Sequence, residues 1–341
     1  MKSKKILVTG GAGYIGAHTV VELIQAGYDV VIIDDLSKSD RTLLNGIKSI
    51  TGKESPFMEG DCCDKKFMTD VFHQAGPFSS VLHFAAYKSV RESEENPLMY
   101  YQNNLNSLTT LLKVMLENGV NDLIFSSSCT VYGQPDQIPV NETCPFKRAE
   151  SAYGATKQMC EGILEDVSRI GLRVVSLRYF NPIGAHPSGM IGEVPLGSPD
   201  NLVPYITQTA AGIREKLTVF GNDYDTPDGS CIRDYVHVVD LGKAHVKAMQ
   251  YLRAKPGDKS YEAFNLGSGV GVSVLQLIEK FTAVTKIEPP YMIGPRRPGD
   301  VEKVFADPTK ANKSLAWRTE LTIEESLQHA WQWEKKLRGL K

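Results

Sequence analysis

The chain has 341 residues, 42% of them hydrophobic, enough for a sizeable core and, on length alone, for about two domains. Acidic and basic residues nearly cancel, leaving a formal net charge of -2. No basic excess points to nucleic acid or a membrane surface, so any anionic ligand must be held by local arginines, lysines and backbone amides. No apolar run reaches the about 20 residues of a membrane span. Met1-Lys2-Ser3-Lys4-Lys5 leads into only a short apolar-leaning stretch, Ile6 to Thr9, so export is not expected. Cys62, Cys63, Cys129, Cys144, Cys160 and Cys231 form no CxxC pair and no zinc-like spacing with histidine. They read as reduced thiols in a cytoplasmic protein with no resident metal.

In chain order, Ile6 to Thr9 reads as a buried strand, Tyr14 to Ala26 as a helix, and Tyr28 to Ile33 as the next strand, ending at Asp34. Pro56 to Met58 leads to Asp61, and Ser80 to Phe84 is another strand. A long helix lies between Pro97 and Asn118, then a strand at Leu123 to Phe125. A second long helix covers Ser151 to Ser168, followed by a strand at Arg173 to Leu177. This alternation predicts an α/β fold: a Rossmann-type doubly wound parallel sheet with helices on both faces. After Asn181 the chain becomes rich in Pro, Gly, Asn and Asp. Helix-period segments recur at Val238 to Leu252, Val274 to Val284 and Ile323 to Leu337. The expectation is a nucleotide-binding domain over residues 1–180 and a smaller mixed α/β substrate domain over 181–341. The boundary is approximate, and the chain is free to cross it more than once.

Gly10, Gly13 and Gly16 give a GxxGxxG spacing between a strand and a helix, the context in which such a motif signals a dinucleotide. Glycine lets the backbone turn tightly and the pyrophosphate approach, while the helix N-terminus offers free N–H groups. Asp34 and Asp35 end the second strand, where a carboxylate binds ribose hydroxyls and two acids repel a 2′-phosphate, so NAD is expected over NADP. The Gly60-Asp61-Cys62 segment after the third strand reads as an adenine-contacting loop.

Tyr153 and Lys157 form a YxxxK pair, and residues i and i+4 share one helix face. A free phenol titrates near 10, and bringing it down by about 3 pH units requires about 4 kcal/mol of electrostatics. One cation at ~4 Å supplies about that much at an effective dielectric near 20. Tyr153 is thereby expected to act as a base near neutral pH, aided by a positively charged nicotinamide. Ser126-Ser127-Ser128 ends the preceding strand. Ser128 is the expected hydroxyl that bonds the substrate oxygen and relays its proton, with Thr130 a second possible contact.

These features resemble the extended short-chain dehydrogenase/reductase family. The segments Gly10–Gly16, His83–Ala86, Ser126–Gly133, Arg178–Gly184, Gly221–Tyr224, Arg233–His237 and Arg296–Asp300 narrow the resemblance to its UDP-glucose 4-epimerases, over essentially the whole chain. The resemblance implies NAD-dependent inversion of C4 of a UDP-hexose through a transient 4-keto sugar and NADH, in a homodimer. It implies that Tyr14, Ile15, Ser39, Asp61, Cys62, Phe84, Lys88, Asn103 and Tyr179 join the glycines, Asp34, Asp35, Tyr153 and Lys157 around NAD. Lys88, Ser128, Tyr153, Asn181, Asn201, Leu202, Phe220, Arg233, Arg297 and Asp300 would hold the UDP-hexose. Asp35 stands where relatives commonly carry Asn, and Cys129 where many carry Ala. Val304 stands where some relatives place a large Tyr beside the sugar's 2′ substituent, leaving room for an N-acetyl group. A 4,6-dehydratase would need an acid–base pair after the serine-rich strand, where this chain has Cys129 and Thr130. A pocket for a C6 carboxylate, as in a uronate epimerase or decarboxylase, stays open on sequence alone. A non-catalytic NAD-sensing protein would be marked by loss of Tyr153 or Lys157, and both are present.

Overall fold

The computed structural model describes residues 4–255, 257, 260–297 and 300–340. Met1 to Ser3, and Pro298 and Gly299 of the Arg296–Asp300 segment, lie outside the described residues. The first half runs β1 (Lys5–Thr9), α1 (Tyr14–Gln25), β2 (Asp29–Asp34), α2 (Thr42–Thr51), β3 (Phe57–Glu59), α3 (Lys65–Ala75), β4 (Ser80–His83), α4 (Val90–Glu95), α5 (Pro97–Glu117), β5 (Asp122–Ser128), α6 (Ala152–Ser168) and β6 (Arg173–Tyr179). A single 3-10 turn, Cys129–Tyr132, follows β5. The second half runs β7 (Asn181–Ile183), α7 (Leu202–Ala210), β8 (Leu217–Phe220), β9 (Ile232–His237), α8 (Val238–Ala254), β10 (Ser260–Leu266), β11 (Gly271–Ser273), α9 (Val274–Thr285), β12 (Tyr291–Gly294), β13 (Lys303–Val304), α10 (Thr309–Ser314) and α11 (Ile323–Arg338).

Seven strands form one sheet in the order β10-β6-β5-β4-β1-β2-β3, every neighbouring pair parallel. Alternation along each strand sends side chains into two cores. Ile6, Val8, Ile32, Leu82, Ile124 and Val175 face α1 and α8. Leu7, Val31, Ile33, Val81, Leu123 and Val174 face α3, α5 and α6. Burial on both faces is why these strands read as continuous apolar runs. The strand order reverses between β1 and β4, so the loops at their carboxyl ends open a crevice there. A third core gathers Val203, Ile206, Leu217, Tyr235, Leu277, Phe281, Leu327 and Trp331 from the second half. There β11, β9 and β13 pair side by side, β7 also pairs β9, and β12 pairs β8.

The sequence reading lacks α2, α3, α4, α7 and α10, and names no strand after residue 181. In α3 the apolar stripe is narrow, Met68, Val71 and Phe72 among charged neighbours, although the Asp64 side chain caps the helix by accepting from the N–H of Lys66 and Phe67. After the change of texture at Asn181 the chain crosses back to the first sheet. Helix α8 packs on α1, and β10 pairs with β6 along its full length, so the chain returns to the first sheet before leaving it again.

That return is fixed by a buried polar cluster. Arg178 on β6 donates to Glu161 on α6 at 2.6 and 3.0 Å, with both side chains at most 6% exposed. Glu161 also accepts from Ser127 on β5 and from Tyr261 on β10. Arg178 donates to Tyr132, whose hydroxyl donates to Asn265 on β10 at 2.7 Å. Burial works against the Arg178 charge, and the hydrogen-bonded Glu161 more than offsets it, leaving the guanidinium raised. Removing one partner of a buried pair costs about 3–5 kcal/mol, because the other charge is left stranded. Glu161→Leu is therefore expected to lose about that much by urea unfolding, and Glu161→Leu with Arg178→Met to regain a large part of it. A single variant within about 1 kcal/mol of the parent would refute the assignment.

Candidate active site

Gly10 follows β1 with φ +70°, and its N–H donates to Ile33 O at 2.8 Å. A Cβ there would lie 2.6 Å from the Ala85 nitrogen, and one on Gly16 would lie 2.2 Å from Gly10 O. The first glycine thus lets the loops after β1 and β4 cross, and the third lets α1 sit on the loop. Gly13 is the N-cap of α1 and has no side chain to cap it, so the first-turn N–H groups of the helix stay available to an anion. Buried Asp34 accepts from Ala12 N at 3.0 Å, Leu36 N at 3.0 Å and the Ser39 hydroxyl at 2.8 Å. Burial raises its carboxyl and these donors pull the other way. Three of about four acceptor positions are used, leaving one for a ribose hydroxyl. The cradle therefore fits a dinucleotide pyrophosphate and adenosine ribose.

Other members of the expected NAD set are committed differently. Asp35 is exposed and folds back on Ser37, Asp61 accepts from Cys63 N at 2.7 Å, and Cys62 is buried. The Tyr14 phenol donates to Gly184 O at 2.6 Å, and the partly buried Ile15 packs on the core. Asn103 bonds Asn104, whose buried amide holds Tyr87 N and O and reaches Thr156 beside Lys157. The Tyr179 hydroxyl donates at 2.5 Å to His245 Nε2, since Nδ1 of that ring faces Leu241 O. The Phe84 ring packs 4.7 Å from His245. Asn104 and His245 escape the sequence reading because neither belongs to a spaced motif of its own.

Ser128 ends β5, and its hydroxyl accepts from Thr130 N at 3.2 Å, capping the turn that follows. Tyr153 opens α6, where the Ser151 hydroxyl caps the helix from Gly154 N at 3.1 Å. Burial pushes the Tyr153 phenol up to about 12, with a hydrogen bond to Ser128 pulling it down. Lys157 is buried, donates to Ser126 O at 2.7 Å, and lies 4.8 Å from the Phe125 ring centroid and 5.8 Å from that of Tyr153. Burial takes its ammonium down to about 8. The Lys157 ammonium is thus anchored to the end of β5 beside the phenol, and burial is the largest influence on both groups. The YxxxK pair and Ser128 do share one corner.

On the other wall, Asp300 accepts from Arg297 at 2.6 Å and lies 3.6 Å from Arg233. The Arg297 guanidinium sits 5.5 Å from the Phe220 ring, so these four expected residues converge. Arg296 turns away to Asp223 and the Tyr224 ring. Val304 pairs with Arg233 in register and packs with Val131 and Phe180, with Cys129 alongside. Asn181 starts β7, opposite Tyr235 of β9. Asn201 precedes α7, which begins at Leu202, without capping it, and its amide bonds Glu193, as does Lys88. Glu193 carries no signal in the sequence, since it sits in a Pro- and Gly-rich stretch without a motif.

The model of the NAD dependent epimerase/dehydratase family matches residues 6–267. A UDP-glucose 4-epimerase from Dictyostelium discoideum is 48% identical over 332 residues, 97% of this chain and 95% of that one. A crystal structure of UDP-glucose 4-epimerase from Bifidobacterium longum in complex with NAD+ and UDP superposes with a TM-score of 0.93 at 43% identity, covering 97% of this chain and 98% of that one. One from Stenotrophomonas maltophila, with bound NAD and formylated UDP-arabinopyranose, gives 0.94 at 44% identity, with 98% and 99% covered. The chain therefore belongs to the NAD dependent epimerase/dehydratase family and, within it, is similar to the UDP-glucose 4-epimerases.

Proposed function

We propose that this chain interconverts the C4 epimers of UDP-hexoses, UDP-glucose and UDP-galactose foremost, using tightly held NAD. The observation that carries the reading is the meeting of Ser128, Tyr153 and Lys157 at the carboxyl edge of the sheet, with the glycine cradle on one side and Arg233, Arg297 and Asp300 on the other. Gly10, Gly13, Gly16 and Asp34 hold the dinucleotide by their backbone turn, helix N-terminus and carboxylate. When bound, NAD supplies a hydride acceptor for C4 and a positive charge beside the phenol. Tyr153 takes the 4′-hydroxyl proton and returns it, with Ser128 bonded to the same oxygen. Lys157, fixed by Ser126 O, keeps a cation in this corner while burial draws its own proton toward release. Arg233 and Arg297 grip the diphosphate, which anchors the nucleotide while leaving the hexose free to present either face.

We place the chain in the cytoplasm, on its unpaired thiols among the described residues. We further propose a homodimer through α5 and α6, which pack together and leave Leu98 80% and Met159 47% exposed. Light scattering after gel filtration should give twice the chain mass, and Met159→Glu should shift it toward the monomer. A monomeric parent refutes this.

The deciding assay incubates the purified protein with UDP-galactose, without added NAD, and separates the C4 epimers; unchanged substrate sinks the reading. Tyr153→Phe should retain NAD and lose about 10²–10⁴-fold of kcat, and near-normal turnover would remove the phenol as the base. Val304 lies beside Cys129 and Phe180, where a small side chain leaves room for a 2′ N-acetyl group. UDP-GalNAc should then be a substrate, and Val304→Tyr should depress its kcat/KM about tenfold or more relative to UDP-galactose. Equal loss on both substrates counts against the pocket.

A further inference from the structure

Glu193 lies between β7 and α7, outside every motif. Its Oε1 accepts from Lys88 Nζ at 3.1 Å and from Asn201 Nδ2 at 2.6 Å. The carboxylate is 14% exposed, whereas the Lys88 side chain is 55% exposed. Its backbone is pinned from behind. The indole N–H of buried Trp333, on α11, donates to Glu193 O at 2.8 Å. The neighbouring Gly192 lies so close to that indole that a Cβ would come within 2.4 Å of the ring. The acid is therefore the fixed member, and its two donors come to it.

Those donors belong to different walls of the cleft. Lys88 follows β4 and precedes α4, on the dinucleotide side. Asn201 begins α7, on the sugar-nucleotide side, and makes no capping bond to that helix. Asn is among the residues favoured for capping, so the turn of its amide toward Glu193 sets the orientation of the side chain. Free lysine and asparagine side chains would have to be ordered at the moment of binding, which weakens affinity.

We infer that Glu193 is a positioning residue: one carboxylate oxygen tethers Lys88 and Asn201 across the cleft, so that both donors stand ready for the phosphate and sugar oxygens of a UDP-hexose. The inference rests on the reading of the site given above. A negative charge near a diphosphate repels it, so the arrangement favours binding only where ordering two donors outweighs that repulsion. The tether also links the halves: loss of the acid releases a donor on each wall at once.

The test is calorimetric titration of UDP into NAD-loaded protein, with steady-state kinetics on UDP-galactose. Glu193→Ala should weaken UDP binding about tenfold and raise KM similarly, with kcat within about threefold and NAD content unchanged. Glu193→Gln, which keeps an acceptor for Asn201 but not an ion pair for Lys88, should fall between. In a Lys88→Ala/Asn201→Ala background, adding Glu193→Ala should change UDP affinity no further. Affinity equal to or tighter than the parent's in Glu193→Ala would overturn the tether, making the acid a competitor for the donors. So would a further full tenfold loss in the double-alanine background, or a fall in kcat at constant KM. A parent that binds no UDP refutes the underlying site reading, a result read from the first titration and distinct from the others.

Discussion

A guanidinium and a carboxylate buried together lose most of their hydration, and only near-complete hydrogen bonding makes the burial tolerable. Arg178 and Glu161 meet that demand with hydroxyls drawn from three other places: Ser127, Tyr132 and Tyr261. Each partner comes from a different segment of chain, so satisfying the charges also fixes β5, β6, β10 and α6 relative to one another. Ser127 precedes Ser128, and Glu161 lies one helical turn beyond Lys157. The charged hub thus sets the register in which Ser128, Tyr153 and Lys157 meet.

The dinucleotide half was legible because its requirements are local. A glycine whose Cβ would strike a neighbouring loop, a helix start without a capping side chain, and an acid at the next strand end all leave marks at fixed spacing. The same holds for Tyr153 and Lys157, four residues apart on one helix. What the sequence could not convey was the long-range pairing. Nothing in Ser260–Leu266 announces that this strand docks on β6, and the partner of Lys157 is a backbone carbonyl 31 residues away. Glu193, Asn104 and His245 were invisible for the same reason: their roles arise from contacts made across the fold. Glu161 was within reach, since its i+4 offset from Lys157 puts both on one face of α6.

Both walls of the cleft share a further property. Each cationic cluster carries its own acid: Asp300 for Arg233 and Arg297, Glu193 for Lys88. An isolated cluster of cations would repel itself and scatter its long side chains. An internal counter-ion holds the geometry of the side chains. The cost of organising the site is thereby met during folding.

The route of β10 has a consequence for engineering. The outermost strand of the nucleotide-binding sheet, and the α8 helix that covers one face of it, are encoded after residue 181. Cutting the gene near the middle would strip that sheet of an edge and bare the apolar surface of β6. A chimera that borrows its second half from another protein must therefore be stitched at several junctions, sparing α8 and β10 as native scaffold. In this architecture, the unit of exchange is the set of loops rather than the half-chain.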